Sequence, residues 1–202
     1  MPTPATALID DFIGPDVDPL PAPWNVPFGM SIVSNMATND PSSGGQAIWP
    51  TLFTANQEVW VDVVTPFTLS GIFLLYVCTQ DPTSLSGVTG YSLAWNTGGI
   101  GLRREDPNLG SVSLGSAAAP AAGARVGLTR LGASITLWKI QGGVFSTLVS
   151  ATDNVIRREG YIAMYAAAST GDFVNLSNFG GGSLDVASPR FKRRTHRSVS
   201  WS

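Results

Sequence analysis

The stretch QEVWVDVVT, residues 57–65, alternates strictly, with Val59, Val61 and Val63 on one side and Glu58, Trp60 and Asp62 on the other. A period of two marks a half-buried β-strand, because successive side chains of an extended chain point to opposite faces. The same pattern recurs. GYSLAW groups Tyr91, Leu93 and Trp95 against Ser92 and Ala94. ARVGLTRLG, ASITLWKIQ, VFSTLVSAT, EGYIAMYAA and DFVNLSNFG follow. Gly132-Ala133, Gly142-Gly143 and Asp153-Asn154 separate several of them in the manner of hairpin turns. No stretch carries a convincing helical period. The pattern predicts roughly a dozen short strands and an all-β fold, a two-sheet antiparallel sandwich or a barrel.

A chain of 202 residues suits one domain, and 44% hydrophobic against 13% charged residues excludes a disordered chain. The expected organisation is an N-terminal arm over 1–6, a sandwich over 7–183 and a basic C-terminal arm over 184–202. Two segments stand outside the strand pattern. GPDVDPLPAPW, with Pro15, Pro19, Pro21 and Pro23, reads as a rigid extended surface loop. GSVSLGSAAAPAAGA reads as a small-residue loop. The single cysteine, Cys78 in GIFLLYVC, allows no internal disulfide and is expected to be a buried thiol. MPTPATALIDDF has no basic or apolar region of a signal peptide, and the apolar run Ile72–Cys78 is far shorter than the ~20 residues of a membrane helix. A soluble protein, away from membranes, is the expectation.

Several fragments together resemble a known group. LIDDF, WNV, GYSLAW with GIGLRRE, RVGLTRLGASITLWKIQGG, GYIAMY and DFVNLSNFGGG occur here in that order. The chain resembles the concanavalin A-like (laminin-G-like) jelly-roll virion proteins of tailed bacteriophages, which serve as minor tail proteins or head decorations. The resemblance spans nearly all of residues 7–183, with its weight on the order of the fragments and the NFGGG ending. It implies a two-sheet antiparallel jelly roll, a virion location after assembly in the host cytoplasm, and other virion proteins as partners, in several copies. The minor tail protein is the leading reading, with a head decoration or a carbohydrate-binding module for host attachment as alternatives. Function has to be argued from sites, because such folds host many activities.

Catalysis finds little support. Related jelly rolls that cleave β-glucans carry Glu-x-Asp-x-Glu on one strand face. Here EVWVD places Trp60 where the middle carboxylate belongs. Retaining hydrolysis needs two carboxyl groups about 5–5.5 Å apart, whereas residues four apart on a strand have Cα atoms ~13 Å apart. The lone histidine, His196, lies among arginines near the C-terminus, so the body can hold neither a Ser-His-Asp triad nor a zinc site. The glycines of NTGGIGLRRE do not open a helix, so they make no phosphate loop. The chain reads as a non-enzyme.

Binding is the stronger expectation. Trp60 leads for carbohydrate, with Glu58 and Asp62 as hydroxyl acceptors beside it and Trp138 as a second aromatic. Trp24, Trp49 and Trp95 read as packing. On that view Trp60→Ala abolishes sugar binding without lowering thermal stability. Laminin-G-like domains often bind calcium, and no other cofactor is indicated. Asp10, Asp11 and Asp172 would meet to hold calcium if the terminal strands pair as the resemblance implies.

Charge divides the chain. Residues 1–187 hold all fourteen acids and seven of the twelve basic residues, a net of −7, while the last fifteen hold five basic residues and no acid, a net of +5. An acidic body argues against nucleic acid as partner. Arg190, Phe191, Lys192, Arg193, Arg194, Arg197 and Trp201 instead suggest an arm that docks on an acidic protein surface, with Phe191 and Trp201 as apolar anchors.

Overall fold

The computed structural model describes residues 4–68, 71–167 and 172–184, which hold fifteen strands and no helix. They form two antiparallel sheets. The first runs β13 (Val144–Thr152), β12 (Ser134–Gln141), β11 (Arg125–Leu131), β6 (Gln57–Thr65), β15 (Asn175–Ser183), β4 (Met36–Asn39) and β3 (Met30–Val33). The short β1 (Leu8–Asp10) joins β15 beyond β4, pairing at Phe179 and Gly180. The second runs β10 (Gly110–Ala117), β9 (Gly99–Asp106), β8 (Gly90–Asn96), β7 (Ile72–Thr79), β14 (Gly160–Ala167), β5 (Gly45–Phe53) and β2 (Asn25–Phe28).

Alternation decides what lies between the sheets. Val59, Val61 and Val63 of β6 are buried with Val126 and Leu128 of β11 and Ile135 and Leu137 of β12. Facing them across the core are Phe73, Leu75 and Val77 of β7, Leu93 and Trp95 of β8, and Ile162 and Met164 of β14. This is the jelly-roll sandwich that period two and the sequence resemblance imply.

The fragments that carry the resemblance converge. Trp24 of WNV donates its indole N–H to Asp10 of LIDDF at 2.7 Å. The same ring meets Phe179 of NFGGG edge to face, with centroids 4.9 Å apart. Both ends of the strand series therefore close on one tryptophan, and these motifs serve the fold.

Two expected loops are corrected. The first half of GSVSLGSAAAPAAGA is strand β10, because Gly110–Ala117 completes the edge of the second sheet against β9. Gly115 makes this edge possible. Its φ of 152° suits glycine, and a Cβ there would lie 2.6 Å from Val149 of β13, where the edges of the two sheets meet. GPDVDPLPAPW is more than surface. Val17 and Ile32 exchange backbone hydrogen bonds at 3.0 and 2.8 Å, and Leu20 and Trp24 are buried. The proline-rich segment thereby covers the outer edge of β3, which would otherwise present unpaired backbone groups.

Candidate functional site

All four residues expected to bind sugar lie on the outer face of the first sheet. Strand register sets them in rows. Glu58 stands between Gly182 and Thr129, Trp60 between Gly180 and Gly127, and Asp62 between Asn178 and Arg125. Trp138 continues the middle row, opposite Gly127 from the other side.

Facing outward does not expose them. Trp60 is 3% and Trp138 0% exposed. Each ring lies flat across a glycine of the neighbouring strand. A Cβ on Gly180 would fall 2.1 Å from the Trp60 ring, and one on Gly127 would fall 2.2 Å from the Trp138 ring. Arg125 covers the other face of Trp60, its guanidinium carbon 4.1 Å from the ring centroid. Phe145 stands against Trp138, with centroids 5.9 Å apart. Neither tryptophan offers a free face to a sugar, which corrects the expectation of exposed aromatic platforms.

The acids are also engaged. Asp62 accepts two hydrogen bonds from Arg125 at 2.5 and 2.7 Å and a third from Asn178 at 2.8 Å. That hydrogen-bonded carboxylate holds the Arg125 guanidinium above its usual pKa. Glu58 is fully buried. It accepts from the backbone N–H groups of Ala5 and Thr6 at 2.7 and 3.0 Å, and from the hydroxyls of Thr6 and Thr129 at 2.9 and 3.0 Å. Residues 5 and 6, expected in the N-terminal arm, are thus tied to the sheet. Glu58 and Asp62 do not share a reaction site: Glu58 is buried under its four donors, and Asp62, partly exposed, is held by Arg125 and Asn178.

Glu58 and Trp138 nevertheless meet in one place. The Trp138 indole donates to Thr129 Oγ1 at 2.8 Å, and the Thr129 hydroxyl donates to Glu58. This relay floors a groove of about 530 Å³, a size that suits a small ligand. Its walls include the hydroxyls of Ser134, Thr136 and Thr147 and the ring of Phe145, which is 43% exposed. Phe145 escaped the sequence reading, although the alternation in VFSTLVSAT puts it on the same face as Thr147.

The outer face of the second sheet carries another groove, of about 630 Å³, over β8, β9 and β10. Register aligns Ala94, Gly101 and Ser116 in one row, Ser92, Arg103 and Ser113 in the next, and Glu105 with Ser111 beyond. Glu105 is buried and accepts hydrogen bonds from the hydroxyls of Ser92 and Ser111. Tyr76, next in the row beyond Ser92, has its phenol pushed well up, first by burial and then by the Glu105 carboxylate. The alternating GIGLRRED and GSVSLG could have marked this face, since Gly101, Arg103 and Glu105 share a side.

The expected calcium ligands stay apart. β1 does pair with β15, but Asp10 sits opposite Phe179, seven residues along the chain from Asp172. At ~3.3 Å per extended residue that is too far for one ion. Asp10 binds the Phe12 N–H and the Trp24 indole, Asp11 the Ile13 N–H, and Asp172 the Thr68 and Gly71 N–H groups. Asp10 and Asp11 brace the turn that follows β1, and Asp172 ties the β6–β7 connection to the start of the last strand. Among the described residues no group of three or more His, Cys, Asp or Glu is placed to hold a metal, so Asp10, Asp11 and Asp172 do not make the expected calcium site. Arg190, Phe191, Lys192, Arg193, Arg194, Arg197 and Trp201 lie outside the described residues.

Several solved structures share this architecture. The VIP36 exoplasmic/lumenal domain in its Ca2+/Man2-bound form has a TM-score of 0.67 at 13% identity, covering 91% of this chain and 89% of that one. Its Ca2+/Man3GlcNAc-bound form has a TM-score of 0.66 at 14% identity, covering 83% and 86%. Carbohydrate binding module CBM66 from Bacillus subtilis has a TM-score of 0.60 at 10% identity, covering 79% and 95%. No protein-family model and no curated protein matches the sequence. Identities this low establish the fold, a lectin-like β-sandwich, and leave function to the sites.

Proposed function

We propose that this protein is a carbohydrate-binding domain and that the groove beside Phe145 on the first sheet holds the sugar. One observation carries the reading. An exposed aromatic ring faces a floor and wall of hydroxyls, Thr129, Ser134, Thr136 and Thr147, in a groove of ligand size. A sugar ring has the matching character, with an apolar C–H face and a rim of hydroxyl donors and acceptors. The buried Trp138–Thr129–Glu58 relay keeps the floor rigid, so little side-chain freedom is lost on binding. The lectin-like neighbours, whose names record mannose oligosaccharides and a carbohydrate-binding module, support the same class. Phe145→Ala is expected to cut glycan binding at least tenfold, about 1.4 kcal/mol, with an unchanged Tm, read on a glycan array and by calorimetry. Unchanged affinity in that variant would sink the assignment of this groove.

A second reading, display of this domain on a tailed-phage particle, is carried by the order of the fragments from LIDDF to NFGGG and by the basic arm. Blotting purified particles before and after a high-salt wash tests it. A band that the wash removes supports fastening by the arm, and absence of any band rejects virion display.

A further inference from the structure

We propose that the groove over β8, β9 and β10 is a second site, selective for a carboxylate-bearing sugar, in which Arg103 recognises the carboxylate. Arg103 is the one charged residue lining this groove. It is half-buried, and among the described residues it makes no hydrogen bond and no ion pair. Glu105, two residues along the same face, would be its natural partner, yet that carboxylate accepts from Ser92 and Ser111 and not from Arg103. A guanidinium that opens to solvent in a groove, with no protein acceptor for its five donors, is suited to the planar, two-oxygen acceptor of a carboxylate.

The surroundings choose the rest of the ligand. Asn96, Ser113 and Ser116 offer neutral donors and acceptors around the cation. A groove of about 630 Å³ is far larger than a bare oxyanion needs. The net charge of −7 over residues 1–187 also disfavours a dianion such as phosphate more than a single carboxylate. Gly101 leaves the floor open without any demand from the fold. Its φ is not positive, and a Cβ there would meet only the Gly115 carbonyl oxygen, at an ordinary 3.5 Å.

Calorimetry on the full chain tests this, with a trimer that carries one hexuronic acid residue between two neutral sugars, its carboxyl-reduced neutral counterpart, and acetate. The expected result is at least about tenfold tighter binding of the acidic trimer than of the neutral one, the size of one charge-assisted hydrogen-bond pair. Arg103→Gln should erase that preference, Arg103→Lys should keep part of it, and Gly101→Leu, which fills this groove alone, should erase it with Tm unchanged. Phe145→Ala should leave the preference intact, which separates this site from the groove on the first sheet. Equal affinity for the two trimers, no binding of the acidic trimer, or a preference that survives Arg103→Gln would overturn the proposal. Acetate competing as well as the acidic trimer would show a plain anion pocket and overturn its sugar specificity.

Discussion

Trp60 shows what a single residue on the outer face does here. It lies between the backbone at Gly180 and the guanidinium of Arg125, and Arg125 is held in turn by Asp62. Trp60→Ala therefore leaves a void between two strands and frees the arginine above it. We expect a loss of about 3–5 kcal/mol in chemical denaturation, where the alternation alone implied no stability change. Gly180→Ala is the complementary test, since a methyl group 2.1 Å from the ring forces the indole or the strand to move. A loss of about 1–3 kcal/mol is expected. A tryptophan that tolerated both changes would be a surface residue after all. Cys78 fits its sequence expectation: it is fully buried, and burial pushes its thiol up to about 11, so it is a packing group.

At the scale of elements, Asp153 joins three pieces of chain. Its carboxylate accepts from the Tyr91 hydroxyl on β8, from Arg104 on β9 and from the Val155 N–H in the β13–β14 loop. Burial raises its pKa, but those three donors outweigh burial and hold it below the usual carboxylate value. A depressed folded-state pKa contributes stability that is present above the unfolded value, about 3.9, and lost as pH falls through the folded value. The wild-type chain should therefore lose stability below about pH 4, and Asp153→Asn should flatten that decline while starting lower. The start should be about 3 kcal/mol lower at neutral pH, because Arg104 keeps its buried place without its partner. Urea titrations at pH 7 and at acid pH read both effects, and parallel pH profiles would refute the assignment.

Across the whole molecule, the chain's opening residues close a site made mid-chain. Ala5 and Thr6 supply three of the four donors that surround Glu58, fifty-odd residues away. Removing residues 1–6 should leave a buried carboxylate short of donors and lower Tm, with Glu58→Gln in the truncated chain recovering part of the loss. A truncated chain as stable as the full one would show that the stitch contributes nothing. Period two was enough to assign faces: Val59, Val61 and Val63 lie inside and Glu58, Trp60 and Asp62 outside, as the alternation implies. It could not tell outside from exposed. Exposure depends on which strand lies alongside, and β6 is flanked by β11 and β15, far from it in sequence. Gly127 and Gly180 let the tryptophans lie flat only because register places them there. The same holds for Arg103. Its side of β9 was legible in GIGLRRED, whereas the pairing of Glu105 with Ser92 and Ser111 and not with Arg103 depends on the strands alongside. An alternating pattern records only which way each side chain points. What covers it, and what it is left to bind, is settled by tertiary pairing between distant strands.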